Sequence, residues 1–279
     1  MALCSAILLR NSRPKAFSAA LLCLALVYFL LGLISVHAET AKAAKPSSNA
    51  IIHLGVEDGW PPYADYQGKG LSTEIVKAAF AAVGQKVVIS VKPYARVLRD
   101  VEAGHLDGGY NVTRQASTER RFIFGYYPIL TANASFYYAA DRPHAYQTAR
   151  DIPSKARVAS IIDYEYGDTY ESQRERFREV SVARQNQIIR MLLAHRVDVA
   201  VMFDRVVEYT LVDMNLPPDI LSQGAVINAS DVYVAFSLKN PESKKYAALL
   251  DEGLLKIRES GVYENLMQGF VARHSAGLP

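Results

Sequence analysis

Predicted strands alternate with predicted helices along most of the chain, and this alternation constrains the fold more than any other sequence feature. Apolar stretches at residues 51–56 and 86–91 are typical of buried strands, and apolar side chains recur at helical spacing between them. A second series begins at residues 157–162 and passes through an apolar helix face to a strand at 197–203. Such alternation favours α/β lobes, each a mostly parallel sheet flanked by helices.

Two long predicted strands connect the two series. Residues 133–140 leave the first series, and residues 231–238 return after the second. We therefore predict two lobes joined by two crossover strands, with a ligand-binding cleft between them. The first lobe comprises 51–135 plus 235–271, and the second lobe comprises 136–234.

The N-terminus has the composition of a secretory signal. Three basic residues precede an uncharged apolar run over 16–36, and a small residue, Ala38, ends the segment 1–38. We expect cleavage after Ala38 and an exported protein, although a run of this length is also sufficient for a retained membrane anchor. Residues 39–50 are predicted to form a linker and 272–279 a tail.

Charge and cysteine content exclude several classes of function. Residues 1–38 hold three of the 31 basic residues, none of the 28 acidic ones and both cysteines, so the remainder carries 28 residues of each sign. That balance gives nucleic acid no electrostatic attraction. The six histidines lack metal-ligand spacing, and no phosphate-binding loop or nucleophile motif occurs, so we expect no metal, cofactor or catalytic residue.

The stretch GWPPYADYQGKG, residues 59–70, contains the only tryptophan of the chain. Its prolines and glycines predict a rigid loop that presents Trp60 and Tyr63 to a ligand. The alternative is that Trp60 caps the core of its lobe.

Several short motifs together carry a family resemblance. They are WPPY at 60–63, GLSTE at 70–74, PYAR at 93–96, TER at 118–120 and HRVDVAVMFD at 195–204. Through them the chain resembles, over about residues 51–270, the bacterial extracellular solute-binding proteins of family 3, which are periplasmic polar amino-acid-binding proteins of ABC importers. The resemblance implies a two-lobe periplasmic-binding-protein fold of type II.

The resemblance also implies a function. The protein would capture a small polar solute, an amino acid or a related amine or aromatic compound, and deliver it as a monomer to an inner-membrane ABC permease. In such families an arginine holds the α-carboxylate, an aspartate holds the α-ammonium and an aromatic ring stacks on the side chain. These roles map to Arg120, Asp204 and Trp60, with Arg114 or Arg121 as alternative clamps because the local spacing departs from the family pattern.

One loop departs from the family in its chemistry. In the family, a Gly-Ser/Thr loop usually donates hydrogen bonds to the carboxylate of the ligand. Here residues 162–168 contain added acids and two tyrosines instead, which favours a cationic, amine-bearing or aromatic ligand. Structural roles compete with binding, since Asp204 is also placed to cap a helix and Arg96 to pair with a neighbouring acid. The candidate ligand-binding residues are Trp60, Tyr63, Tyr94, Arg96, Asn111, Arg120, Tyr164, Tyr166 and Asp204.

Two other functions remain open at this point. A sensory or scaffolding domain is favoured if the leader, residues 1–38, is retained as a membrane anchor. The fold also resembles that of periplasmic cyclohexadienyl dehydratases, for which Glu165 or Asp163 would do acid–base work.

Overall fold

The computed structural model describes residues 51–275, with side chains described over 51–270. The predicted signal segment 1–38 and linker 39–50 lie outside the described residues. The strands are β1 (Ile51–Glu57), β2 (Lys86–Lys92), β3 (Gly108–Thr113), β4 (Phe122–Phe124), β5 (Leu130–Ala139), β6 (Arg157–Ile161), β7 (Arg178–Val182), β8 (Val199–Phe203) and β9 (Leu221–Ser237).

Helices of four to 17 residues connect and flank these strands. They are α1 (Leu71–Ala82), α2 (Tyr94–Ala103), α3 (Ala116–Glu119), α4 (Asp168–Glu171), α5 (Gln185–Leu193), α6 (Asp204–Asp213), α7 (Ser243–Glu259) and α8 (Val262–Ser275). The predicted tail at 272–279 therefore begins inside α8, whose last four residues overlap it. In the described part of the chain, the helices are too short or too polar to cross a membrane.

The strands are ordered β2-β1-β3-β9-β5-β8-β6-β7, with β4 paired to β9 beside this series. In the first half β1 runs parallel to both β2 and β3, and β3 pairs antiparallel with β9. In the second half β6 runs parallel to both β7 and β8, and β8 pairs antiparallel with β5. The same arrangement thus occurs twice, which confirms the predicted pair of mostly parallel α/β lobes.

Two long strands, β5 and β9, pass from one lobe to the other. Leu221 to Val232 of β9 pair with β5, and Val232 to Ser237 pair with β3 and β4. Both predicted crossover strands are therefore present. We propose to place the lobe boundaries within them, near residues 135 and 235.

Each lobe has an apolar interior formed where its helices cover the sheet. Helix α1 buries Ile75, Val76, Ala79 and Phe80 at the helical spacing that its sequence predicts. A Cβ at Gly253 of α7 would lie 2.0 Å from the carbonyl oxygen of Ala79, so this glycine permits the close approach of α1 and α7.

Candidate functional site

The carboxyl ends of strands from both lobes meet at the cleft, which is where α/β sheets usually bind ligands. Glu57 ends β1, Phe203 ends β8, and Glu165 follows β6 by four residues. The side chains enclose a cavity of about 10 Å³, close to the size of one water molecule. The residues that line it, called the inter-lobe cluster below, are Glu57, Trp60, Tyr94, Asn111, Thr113, Tyr164, Glu165 and Phe203.

Two tyrosine–glutamate hydrogen bonds cross the cleft in opposite directions. The Tyr94 hydroxyl of the first lobe donates to Glu165 Oε2 of the second lobe at 2.6 Å. The Tyr164 hydroxyl of the second lobe donates to Glu57 Oε2 of the first. Each lobe thus contributes one acid and one tyrosine, and the two tyrosine rings meet edge to face at 4.9 Å.

The first of these acids is held in an unusual protonation state. The pKa of Glu57 is raised to about 8, chiefly because burial removes water from the carboxylate. The negative charges of Asp58 and Glu165 act in the same direction, and the hydrogen bond from Tyr164 opposes them. At neutral pH Glu57 is therefore largely protonated in this arrangement.

The second acid behaves in the same way. Burial raises the pKa of Glu165 to about 8. The hydrogen bond from Tyr94 and the positive charge of Arg121 act to lower this pKa, and the negative charge of Glu171 acts to raise it. The cleft therefore contains two carboxyl groups that a positive charge would return to the ionised form.

Asn111 enters the inter-lobe cluster from an irregularity in β3. The pairing of β3 with β9 shifts between Tyr110 and Val112, and Asn111 between them has φ of 69°. Such bulges re-aim a side chain. Asn111 is 5% exposed, and neither its amide nitrogen nor its amide oxygen has a hydrogen-bond partner. Both the donor group and the acceptor group of this buried amide are therefore unpaired at the cavity.

The tryptophan loop supplies an aromatic wall. Trp60 is 1% exposed and lies 4.4 Å from the Tyr63 ring of its own lobe and 5.1 Å, edge to face, from the Phe203 ring of the other lobe. Hydrogen bonds between Trp60 and Ala64 close the loop, and Trp60 Nε1 has no partner. Trp60 is thus buried, as the core alternative from the sequence expects, and it also lines the cavity, while its contact with a ligand stays a prediction.

Further contacts join the lobes around the cluster. Arg184 forms an ion pair with Asp58 at 2.9 Å, and the backbone nitrogen of Gly167 donates to Gln115 Oε1 at 3.1 Å. In this arrangement the lobes are in direct contact, so a solute reaches the cavity only if they part.

Two predicted binding residues lie away from the cavity lining. The Arg96 guanidinium pairs at 3.3 Å with Asp100, four residues further along α2, and its side chain is 63% exposed. Arg120 is exposed at the C-terminal end of α3. Arg120, the expected carboxylate clamp, is therefore not among the residues that line the cavity in this arrangement, and its role as a clamp stays a prediction.

The alternative arginines are engaged elsewhere. Arg114 pairs with Glu119 at 2.6 Å, and Arg121 pairs with Glu102 at 2.6 Å. Arg121 acts on Glu165 through its charge, without a hydrogen bond to it.

Three more predicted residues, Asp204, Tyr63 and Tyr166, lie outside the cavity lining and are buried or half-buried near it. Asp204 accepts a hydrogen bond from the Tyr137 hydroxyl at 3.0 Å, and burial raises its pKa. It is the first residue of α6, and its side chain does not cap the helix. Tyr63 packs under Trp60, and Tyr166 packs against Phe203 at 5.9 Å.

The structure therefore brings together four of the nine predicted residues, Trp60, Tyr94, Asn111 and Tyr164. The sequence prediction did not include Glu57, Thr113 or Phe203, and it considered Glu165 only as a catalytic acid. The sequence did offer a signal for Glu57, because this residue is the only acid in the mostly apolar strand IIHLGVE and stands at its carboxyl end.

Two α/β lobes joined by crossover strands, with buried polar residues at the strand ends between them, define a solute-binding protein with the type II periplasmic-binding-protein fold. The chain belongs to the bacterial extracellular solute-binding proteins, family 3, which match residues 52–273. Comparison with curated proteins gives no match.

Solved structures share the fold at low sequence identity. A histidine kinase sensor domain with similarity to periplasmic binding proteins is 20% identical, with a TM-score of 0.68 over 80% of this chain and 96% of that one. An ancestral arginine-binding protein bound to arginine is 14% identical, with a TM-score of 0.67 over 80% and 99%. The amino acid ABC transporter substrate-binding protein AbpA of Streptococcus pneumoniae, bound to L-arginine, is 19% identical, with a TM-score of 0.63 over 79% and 94%.

Proposed function

We propose that this protein captures a small polar solute between its lobes in the periplasm and delivers it to an ABC permease. The observation that carries the proposal is the crosswise pairing of Tyr94 with Glu165 and of Tyr164 with Glu57. These pairs join the lobes at the carboxyl ends of the strands, so opening and closing of the lobes would expose and cover the same polar site.

The family and the neighbouring structures support this proposal. The family is one of solute-binding proteins, and two of the similar structures are bound to arginine, one of them in an amino acid ABC transporter system. The solute of this chain would accordingly be an amino acid or a related amine or aromatic compound. We propose further that the protein acts as a monomer, with the leader either removed or retained as an anchor.

A thermal-shift screen against amino acids, amines and aromatic acids tests solute binding, because a ligand that binds only the folded protein raises its Tm. Small-angle scattering with and without each hit tests closure of the lobes. Uptake of the radiolabelled hit by cells with and without the gene then tests delivery. A full screen without a single stabilising compound would remove the support for solute capture, and binding without uptake would favour the sensory alternative.

One observation favours a second candidate function. Glu165 is a buried acid with a raised pKa beside the Tyr94 hydroxyl, which is the environment of a general acid. Asp163, the other acid considered for dehydratase chemistry, is exposed. Incubation with prephenate or arogenate, followed by detection of the aromatic product, tests this candidate, and product that disappears in Glu165→Gln would establish it.

A further inference from the structure

The inter-lobe cluster is rich in acceptors that lack a positive partner. Glu57 is 2% exposed and Glu165 is 7% exposed. Within residues 51–270, neither acid forms an ion pair or a hydrogen bond with a lysine, arginine or histidine; each is bonded instead by a tyrosine. Buried carboxylates are stable in proteins when a cation faces them.

We propose, building on the proposed function, that the solute is a small organic cation that donates N–H hydrogen bonds, carries no carboxylate, and is held by both Glu57 and Glu165. An amine, amidine or guanidine satisfies this description. When such a cation replaces the tyrosine hydroxyls as the partner of the acids, the acids ionise and release their protons to the solvent, one carboxylate for each positive charge of the solute. A solute with two positive charges is therefore neutralised by Glu57 and Glu165 together.

The other lining residues suit the same class of solute. The rings of Trp60, Tyr94, Tyr164 and Phe203 surround the cavity, and the face of an aromatic ring attracts an organic cation. The unpartnered amide oxygen of Asn111 is a further acceptor for an N–H group at this site.

A carboxylate on the solute would meet an unfavourable environment. None of the residues that line the cavity is an arginine or a lysine. Three arginines near the cleft are paired with acids of their own lobe: Arg96 with Asp100, Arg114 with Glu119 and Arg121 with Glu102. An α-carboxylate would therefore lie beside two acids, with only neutral donors such as Asn111 Nδ2 and Trp60 Nε1 to stabilise it.

Matched pairs of compounds test the proposal by calorimetry. Agmatine is arginine without its carboxylate, and cadaverine is lysine without its carboxylate. We expect agmatine or cadaverine to bind at least about 100-fold more tightly than its amino acid, because the carboxylate would be buried without a positive partner. In buffers of different ionisation enthalpy at pH 7, binding should also release protons, since Glu57 and Glu165 are largely protonated before the cation arrives.

Single substitutions assign the two acids. Glu57→Gln and Glu165→Gln should each weaken agmatine or cadaverine binding by about 30-fold or more, because each removes one partner of a buried charge. Glu242→Gln is the matched control, since Glu242 forms an exposed pair with Lys245 at 2.7 Å. Circular dichroism of each variant shows that the lobes are folded.

The outcomes separate this inference from the proposed function. If arginine or lysine binds as tightly as its decarboxylated partner, or if either glutamine variant binds like the control, the cation inference is overturned while solute capture stands. If none of the four compounds binds, the cation inference is overturned as well, and the broader thermal-shift screen then decides solute capture by itself.

Discussion

A carboxyl group without water or a cation around it holds its proton to higher pH, and this applies to both Glu57 and Glu165. In the unfolded chain a glutamate has a pKa near 4.5, whereas these two have pKa values of about 8. Between these values the folded protein binds more protons than the unfolded chain, so its stability falls as the pH rises. The groups that modulate this are Asp58, Arg121 and Glu171, together with the two tyrosines.

The pH dependence can be tested with Glu57→Gln and Glu165→Gln. We expect the wild-type protein to lose free energy of unfolding between about pH 5 and pH 8.5, by up to about 4 kcal/mol for each acid. Less free energy of unfolding is lost when the lobes separate, because water then reaches the two acids. Each glutamine variant should remove part of the slope, because glutamine does not titrate, while Glu242→Gln should keep it. Urea unfolding at pH 5, 7 and 8.5 measures the effect, and parallel curves for all four proteins would contradict it.

Trp60 reports the contact between the lobes, because it is the only tryptophan of the chain and Phe203 of the other lobe covers one edge of it. We expect short-wavelength emission at pH 6, where the acids are protonated, and a red shift at pH 9, where ionised acids favour opening. A bound cation should reverse the red shift. The Trp60→Phe variant contains no tryptophan, so it gives the background emission to be subtracted. If scattering shows expansion at pH 9 while the emission stays constant, Tyr63 and its own lobe are sufficient to cover Trp60.

Whether a predicted site residue lines the cavity depends on features that differ from residue to residue. Trp60 and Tyr94 sit next to prolines in motifs with a defined place in the fold, so their position near the cleft could be read from the sequence. Arg120 could not be placed in this way, because the direction of a long side chain depends on neighbours that the sequence alone does not reveal. The ion pair of Arg96 could be foreseen, since Asp100 lies one helical turn further along the same helix.

Among the elements, those with strong apolar periodicity were predicted and those without it were missed. Strands β1, β6 and β8 are apolar runs, and they appear within a few residues of their predicted bounds. Strand β7 was missed because its sequence, REVSV, carries charge and lies half exposed. Strand β9 begins ten residues earlier than predicted, since Gly224 and Asn228 are poor strand formers that pairing with β5 nevertheless accommodates.

The loop that holds Trp60 depends on one glycine at the start of α1. Gly70 has φ of 134°, and a Cβ there would lie 2.3 Å from the carbonyl oxygen of Tyr63. We expect Gly70→Ala to lower the free energy of unfolding by more than about 2 kcal/mol, because both strain and overlap oppose it. Gly84→Ala is the control, since Gly84 has φ of 71° but nothing within 4 Å of the added Cβ. It should cost only about 1 kcal/mol.

Chemical denaturation of both glycine variants measures this difference. A Gly70→Ala protein as stable as Gly84→Ala would show that the loop can move away from α1 at little cost.

At the scale of the whole molecule, the contacts between the lobes differ in strength. The Arg184–Asp58 pair is partly exposed, and such pairs contribute little. The tyrosine–glutamate bonds are buried, so losing them leaves carboxyl groups without a partner. We expect the double variant Tyr94→Phe/Tyr164→Phe to favour separated lobes, with a larger radius of gyration in small-angle scattering at pH 6.

Asp58→Asn is the matched control for this experiment and should leave the radius of gyration close to that of the wild type. An unchanged radius in the double phenylalanine variant would mean that aromatic packing, such as Trp60 on Phe203, is sufficient to hold the lobes together.

The crosswise arrangement also restricts how this site can evolve. Each acid and its tyrosine partner are far apart in sequence, 107 residues for Glu57 and Tyr164 and 71 for Tyr94 and Glu165. Replacing one acid alone leaves a buried tyrosine hydroxyl without its acceptor, while the other acid remains in the cleft. Under the cation proposal, a lineage that changes to an anionic solute would therefore substitute residues in both lobes and pass through intermediates that bind neither solute well. Recombination that exchanges a single lobe between relatives would meet the same barrier, so the two lobes are expected to be inherited as a matched pair.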